Sequence, residues 1–279
     1  MKTLYFDHNI IIDIHNKRKP VVVDRIKELD RNEFQILFSP AHIEEIAALK
    51  MRYNQDDSRV SSYLNLLTEL TFSKCLLPYK RTGVNQVKKI GVYISDEDPI
   101  TTYRRVIKNY DRNCIVEEHQ KDKIARGILF EKEAGVSARE TNQINIQREF
   151  DLFSPRLYQI VMKNYISLRP SLGEYLPEIP PSEDEIKKFS LMGEYFPLHE
   201  MIVEKLFEFL EVRRFFPDKP KQFFSGVHDT THVIYAAYCD VFVTHDKKLL
   251  NKARETYKWL GVNTLVLTPD EFVKYLEKQ

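Results

Sequence analysis

Glycine is scarce, with 8 among 279 residues, tryptophan occurs once and cysteine three times. The glycines form neither Gly-x-Gly-x-x-Gly nor Gly-x-x-x-x-Gly-Lys-Ser/Thr, so the usual backbone cradles for dinucleotide and nucleoside-triphosphate phosphates are missing. Cys75, Cys114 and Cys239 are odd in number and far apart, which argues against a disulfide frame or a cysteine zinc site and fits reduced, buried thiols. No apolar run approaches the ~18 residues of a membrane span. The opening Met1-Lys2-Thr3-Leu4-Tyr5-Phe6-Asp7 meets an acid too soon for a signal peptide, so the sequence reads as cytoplasmic, with no membrane partner. A charge excess of one sign is lacking too. With 42 Lys and Arg against 41 Asp and Glu, any nucleic-acid surface must be local.

What remains is a chain with 43% hydrophobic residues and no low-complexity tract, which has enough apolar material to bury a core. Leu4-Tyr5-Phe6 is a β-prone run stopped by Asp7, with Asn9 placed to cap the apolar turn Ile10-Ile11-Ile12. Pro20 opens a helix expected to run to about Asp30, Phe34 to Phe38 reads as a strand, and Ser39-Pro40 opens a helix through Lys50. The far end repeats the pattern: helix Asp229 to Tyr238, strand Val241 to Thr244, a helix from near Asp246 and strand Asn263 to Leu267. A capping box, Thr268-Pro269-Asp270-Glu271, opens the closing helix. This alternation predicts an α/β fold with a mostly parallel sheet.

The middle of the chain is long, amphipathic and charged, with helix-start signals at Ser137-Ala138-Arg139-Glu140 and Ser182-Glu183-Asp184-Glu185. Eight of the 13 prolines fall between Pro155 and Pro220, and Pro177 to Pro181 reads as an exposed connector. The expected organisation is a core built from residues 1–75 and 222–279, interrupted by a large, mainly helical insertion over 76–221.

Four acids stand out. Asp7 and Asp246 each follow a strand, and in a parallel sheet the carboxyl edge of the strands is where ligands bind. Glu45 lies six residues past Ser39 on the next helix, and Asp229 opens the helix before Asp246. Each aspartate also precedes a helix and is explained, taken singly, as an N-cap. Converging, they repel one another, and a hard divalent cation held by oxygen ligands, Mg²⁺ or Mn²⁺, resolves the repulsion. Such an ion promotes phosphodiester hydrolysis.

Leu4-Tyr5-Phe6-Asp7-His8-Asn9-Ile10, the Ser39 to Glu45 spacing, and Asp229 through Ala236-Ala237 to Thr244-His245-Asp246 together resemble the PIN-domain nucleases, in a bacterial or archaeal form with a large helical insertion. The resemblance implies a three-layer fold and an endoribonuclease in a toxin, defence or RNA-processing role, with nucleic acid, RNA above all, as partner. It implies Asp7, Glu45, Asp229 and Asp246 as catalytic residues and Mg²⁺ or Mn²⁺ ligands, supported by hydrogen bonds from Asn9 and Thr244. Asp240 is either a fifth acid of the site or a turn residue, and Glu44 competes with Glu45 as ligand. A homo-oligomer and a protein inhibitor stay open.

Other readings use the same residues. The PIN-like core can be a non-catalytic scaffold or binding protein. Asp7-His8-Asn9 after a strand is loosely similar to the haloacid dehalogenase opening, with Asp7 as nucleophile but the second acid missing. His228-Asp229 with His199 upstream resembles the HD phosphohydrolases, which need an all-helical domain. His228 and His232, four apart on a helix, lack a third zinc ligand and read as packed or surface residues. Basic clusters at Lys88-Lys89, Arg104-Arg105 with Lys108, Lys121-Lys123-Arg126 and Arg213-Arg214 are interleaved with acids and read as solvated helical faces, and Trp259 as core.

Overall fold

The computed structural model describes residues 1–78, 91–108, 122, 125–133, 135, 137–218 and 225–279. Its centre is a four-stranded parallel sheet of order β2-β1-β5-β6, made of β1 (Lys2–Phe6), β2 (Phe34–Leu37), β5 (Val241–Val243) and β6 (Leu265–Leu267). Register pairs Phe6 with Val243 and Tyr5 with both Leu37 and Phe242. The first strand of the chain therefore lies directly beside one more than two hundred residues later.

Strand alternation sends successive side chains to opposite faces, and each face has its own core. Leu4, Phe6, Ile36, Val241 and Val243 pack with α1 (His8–His15), α2 (Pro20–Lys27), α3 (Pro40–Met51), α4 (Asp57–Thr71) and Phe272 of the closing helix. Tyr5, Leu37 and Phe242 on the other face pack with α6 (Ile146–Leu172), α7 (Phe196–Val212), α8 (Ser225–Ala236) and α9 (Lys247–Leu260). The long middle helices α6 and α7 thus share one continuous core with the sheet. They also share buried charge, because Lys252 of α9 donates to Glu211 of α7 and lies 3.4 Å from Asp218 Oδ2.

Several local expectations change. Asp7, not Asn9, caps α1, since the helix starts one residue after the strand and its first free amides fall under the Asp7 carboxylate. The helix from Pro20 stops at Lys27, short of Asp30, and Asp30 instead accepts from the Asn32 amide in the turn before β2. An antiparallel pair, β3 (Lys74–Pro78) with β4 (Val92–Asp96), stands at the start of the stretch expected to be mainly helical, and Phe38 bridges to Cys75 beside the main sheet. It is followed by α5 (Pro99–Lys108). The Ser182 and Glu185 side chains make the expected reciprocal bonds, yet the residues form turns, not helix. Pro177 to Pro180 lie at the surface and Pro181 is buried. Cys75 and Cys239 are free and buried, and Cys114 lies outside the described residues. Among the described residues no helix is long and apolar enough to cross a membrane.

Phe150 tests whether the middle helices and the sheet form one cooperative unit. It is fully buried, with ring centroids 5.8 Å from Phe209 and 5.6 Å from Trp259. Phe150→Ala should cost about 3–5 kcal/mol and lower the urea midpoint of a single transition. A separate transition for the middle helices, with the rest unchanged, would show that they fold independently.

Candidate functional site

Parallel pairing of β1 with β5 sets the geometry of the carboxyl edge. The Asp7 amide donates to Val243 O at 3.0 Å, which places Asp7 level with Thr244. Thr244 Oγ1 donates to Asp7 Oδ2 at 2.7 Å and accepts from the Asp246 amide at 3.1 Å, so one buried hydroxyl links the two acids. Asn9 Nδ2 donates to the same Oδ2 at 3.3 Å, while Oδ1 receives only the Asn9 amide at 3.4 Å. Asp246 Oδ1 caps α9, accepting from Lys248 N at 2.7 Å and Leu249 N at 3.1 Å. Asp7 is 1% exposed, too deep for a carboxylate that only caps a helix.

Glu45 reaches the same place from α3. His232 Nε2 of α8 donates to Glu45 Oε2 at 2.9 Å, and His8 Nδ1, the first residue of α1, lies 3.7 Å from that oxygen. One ligand atom each from Asp7, Glu45 and His232 all lie within 4.8 Å of one another. On its other side His232 Nδ1 is hydrogen bonded to Tyr5 OH at 2.8 Å, and Tyr5 OH to Ser39 Oγ at 2.6 Å. His42 differs in kind. Its Nδ1 accepts from the Ser39 amide at 3.1 Å and its Nε2 donates to Phe6 O at 2.7 Å, so both nitrogens serve the α3 cap and the strand end.

Burial opposes charge on His232, but Glu45, through its field and its hydrogen bond, together with Asp7, outweighs it and raises the imidazole pKa. Glu45 is correspondingly held ionised: burial pushes its pKa up, and the imidazoles of His8 and His232 with the His232 hydrogen bond push it well below the usual range. His8 is lowered by burial despite Glu45, and His228, one turn before His232, is lowered to about 4, again mainly by burial.

Asp229 completes the cluster. Burial first, then the fields of Asp7, Asp218, Glu45 and Asp246, raise its pKa well above the carboxylate range. The other three acids expected from the sequence, Asp7, Glu45 and Asp246, thus lie within electrostatic reach of Asp229. Glu44, half-buried beside Glu45, adds to the field on His232.

Asp240 is not brought in. It precedes β5 and so lies at the opposite, amino edge of the sheet, exposed, where it accepts from Thr3 N at 2.6 Å and Thr3 Oγ1 at 2.7 Å. His199 is buried in the core, with Nε2 3.3 Å from Ile234 O and its ring against Phe189 and Tyr238, and the parallel sheet is incompatible with the all-helical HD architecture. Of the described basic residues, Arg105 pairs with Glu97, Arg126 with Glu208 and Asp122, Arg213 with Glu149 and Arg214 with Glu131, and Arg104 and Lys108 are exposed. Lys88, Lys89, Lys121 and Lys123 lie outside the described residues. Trp259 packs against the core and donates to Asp151 Oδ1 at 3.0 Å.

The residues that sequence reasoning passed over are His232 and His8. The signal for His232 was its place three residues after Asp229, on the same helix face. Pairing it with His228 instead hid its real partner, Glu45, which is 187 residues away.

His199 predicts an acid-side loss of stability. Burial lowers its pKa to about 4, against ~6.5 in the unfolded chain. The unfolded state therefore binds the extra proton between those values, and stability falls as pH drops from 6.5 towards 4. His199→Gln should remove about 2–3 kcal/mol of the difference between urea unfolding at pH 7 and at pH 4.5. An unchanged difference would show that His199 contributes none of it. Comparison of this chain with protein-family models, with curated proteins and with solved structures finds no match.

Proposed function

We propose that this chain is a PIN-like, divalent-metal-dependent nuclease, an endoribonuclease that hydrolyses phosphodiester bonds. The observation that carries the reading is the meeting of Asp7 and Glu45 within 4.8 Å at the carboxyl edge of a parallel sheet, with Asp246 tied to Asp7 through Thr244 and Asp229 within the fields of all three acids. The order of the acids along the chain and their strand and helix contexts match the resemblance in the sequence, and the choice of RNA rests on that resemblance.

The residues suit a cation. Carboxylate oxygens dominate, Asp7 Oδ1 keeps lone pairs beyond its one long contact, and burial together with the neighbouring acids raises the pKa of Asp229. Asp7, Glu45, Asp229 and Asp246 would hold Mg²⁺ or Mn²⁺, whose chemistry is to polarise a phosphodiester and make water more acidic. The chain's own contribution is orientation and charge. Thr244 and Asn9 fix Asp7 through Oδ2 and turn Oδ1 towards the cluster. The α9 cap fixes Asp246. His8 and His232 favour the ionised form of Glu45, and burial with the neighbouring acids disfavours that of Asp229.

Wild type, Asp7→Asn and Asp246→Asn should be compared on labelled single-stranded RNA and DNA with Mn²⁺. Both variants should lose activity by more than about a hundredfold, with RNA the preferred substrate of the wild type. Equal cleavage by all three proteins would end the nuclease reading, and Mn²⁺ binding without cleavage would favour a non-catalytic scaffold.

A further inference from the structure

The acids alone describe an oxygen site for a hard ion, and the imidazoles around Glu45 do not fit that description. One ring nitrogen of His232 and one oxygen each of Asp7 and Glu45 lie within 4.8 Å of one another, and Nε2 is the nitrogen that faces Glu45. Donors sharing one ion at bonds of ~2.1 Å stand about 3–4 Å apart, so small side-chain adjustments bring all three to a common centre. His8 supplies an independent sign. It is 5% exposed, its Nδ1 is buried without a hydrogen-bond partner, and that nitrogen lies 3.7 Å from Glu45 Oε2. An unpaired buried nitrogen is destabilising, a cost that a ligated ion removes.

We infer that the imidazole nitrogens of His232 and His8 join Asp7 and Glu45 as ligands of a first-row transition ion. The centre then prefers Mn²⁺, Fe²⁺, Co²⁺ or Zn²⁺ to Mg²⁺. Mixed nitrogen and carboxylate donors bind such ions well, whereas Mg²⁺ favours oxygen and its own waters. His232 has the outer-shell support that ligating histidines show: Nδ1 is held by Tyr5 OH, itself held by Ser39 Oγ, which fixes the ring with Nε2 towards Glu45. Nε2 gives up its proton on binding, as any ligating imidazole does. His42 is excluded, because both of its nitrogens are already bonded to backbone.

The inference rests on the proposed metal-dependent function and is tested apart from it. The full chain is loaded with Mn²⁺ alone, and ¹⁴N couplings are sought by pulsed electron paramagnetic resonance, with Mn²⁺ and Mg²⁺ affinities measured by calorimetry. Wild type should show directly ligated nitrogen and bind Mn²⁺ at least about a hundredfold more tightly than Mg²⁺. His232→Gln and His8→Asn should each weaken the ¹⁴N signal and lower Mn²⁺ affinity about tenfold or more. Because the wild-type spectrum decides the ligand type, a variant that folds poorly does not obscure the answer. Mn²⁺ bound with dependence on Asp7 but without ¹⁴N coupling overturns the histidine ligation and leaves the carboxylate centre standing. No Mn²⁺ binding by wild type overturns both.

Discussion

Parallel pairing of β1 with β5 brings two strand ends, distant in sequence, to one edge of the sheet, and with them acids that repel. Two unit charges 4 Å apart interact by roughly 4 kcal/mol at an effective dielectric of about 20. A domain has only about 5–15 kcal/mol of net stability, so several such contacts left bare consume a large part of it. Asp229 shows the strain, its ionisation suppressed first by burial and then by its four acidic neighbours. Against this group of acids stand His232, whose pKa Glu45 and Asp7 raise, and the ammonium of Lys252, which Asp229 attracts. What is left over is negative, and that residue of charge is the physical case for a cation.

Tyr5 joins this edge to the fold. Its ring belongs to the core on one face of the sheet, against Phe242 and His42, while its hydroxyl reaches Ser39 and His232 at the edge. Ser39 in turn caps α3, the helix that carries Glu45. Strand, cap and histidine therefore share one buried hydrogen-bonded chain, and the position of Glu45 follows from how β1 packs.

Much of the frame was legible because it is written locally. The apolar run ending at Asp7, the Ser39-Pro40 start of α3 and the Thr268 to Glu271 box all appear as elements at or near their expected places. That Asp7 and Glu45 lie close together was legible through strand ends and their spacing. His8 and His232 were not, since their partner, Glu45, is distant in sequence and no periodicity marks a contact between helices. The antiparallel pair β3–β4 was hidden because Lys74 to Pro78 resembles the end of the helix before it in composition. Of the two readings open for Asp240 the turn residue stands, because one strand separates it from Thr244 and a strand carries its two ends to opposite edges.

Lys252 gives the middle of the chain a hold on the acidic edge. Its ammonium is buried, burial working against its charge, while Glu211, Asp218 and, less strongly, Asp229 sustain it. Swinging α7 away from α9 would uncover that ammonium and withdraw Glu211, leaving Asp218 and Asp229 to divide its attraction. Displacement of the middle helices is thus felt electrically at the sheet edge, without any backbone there having to move.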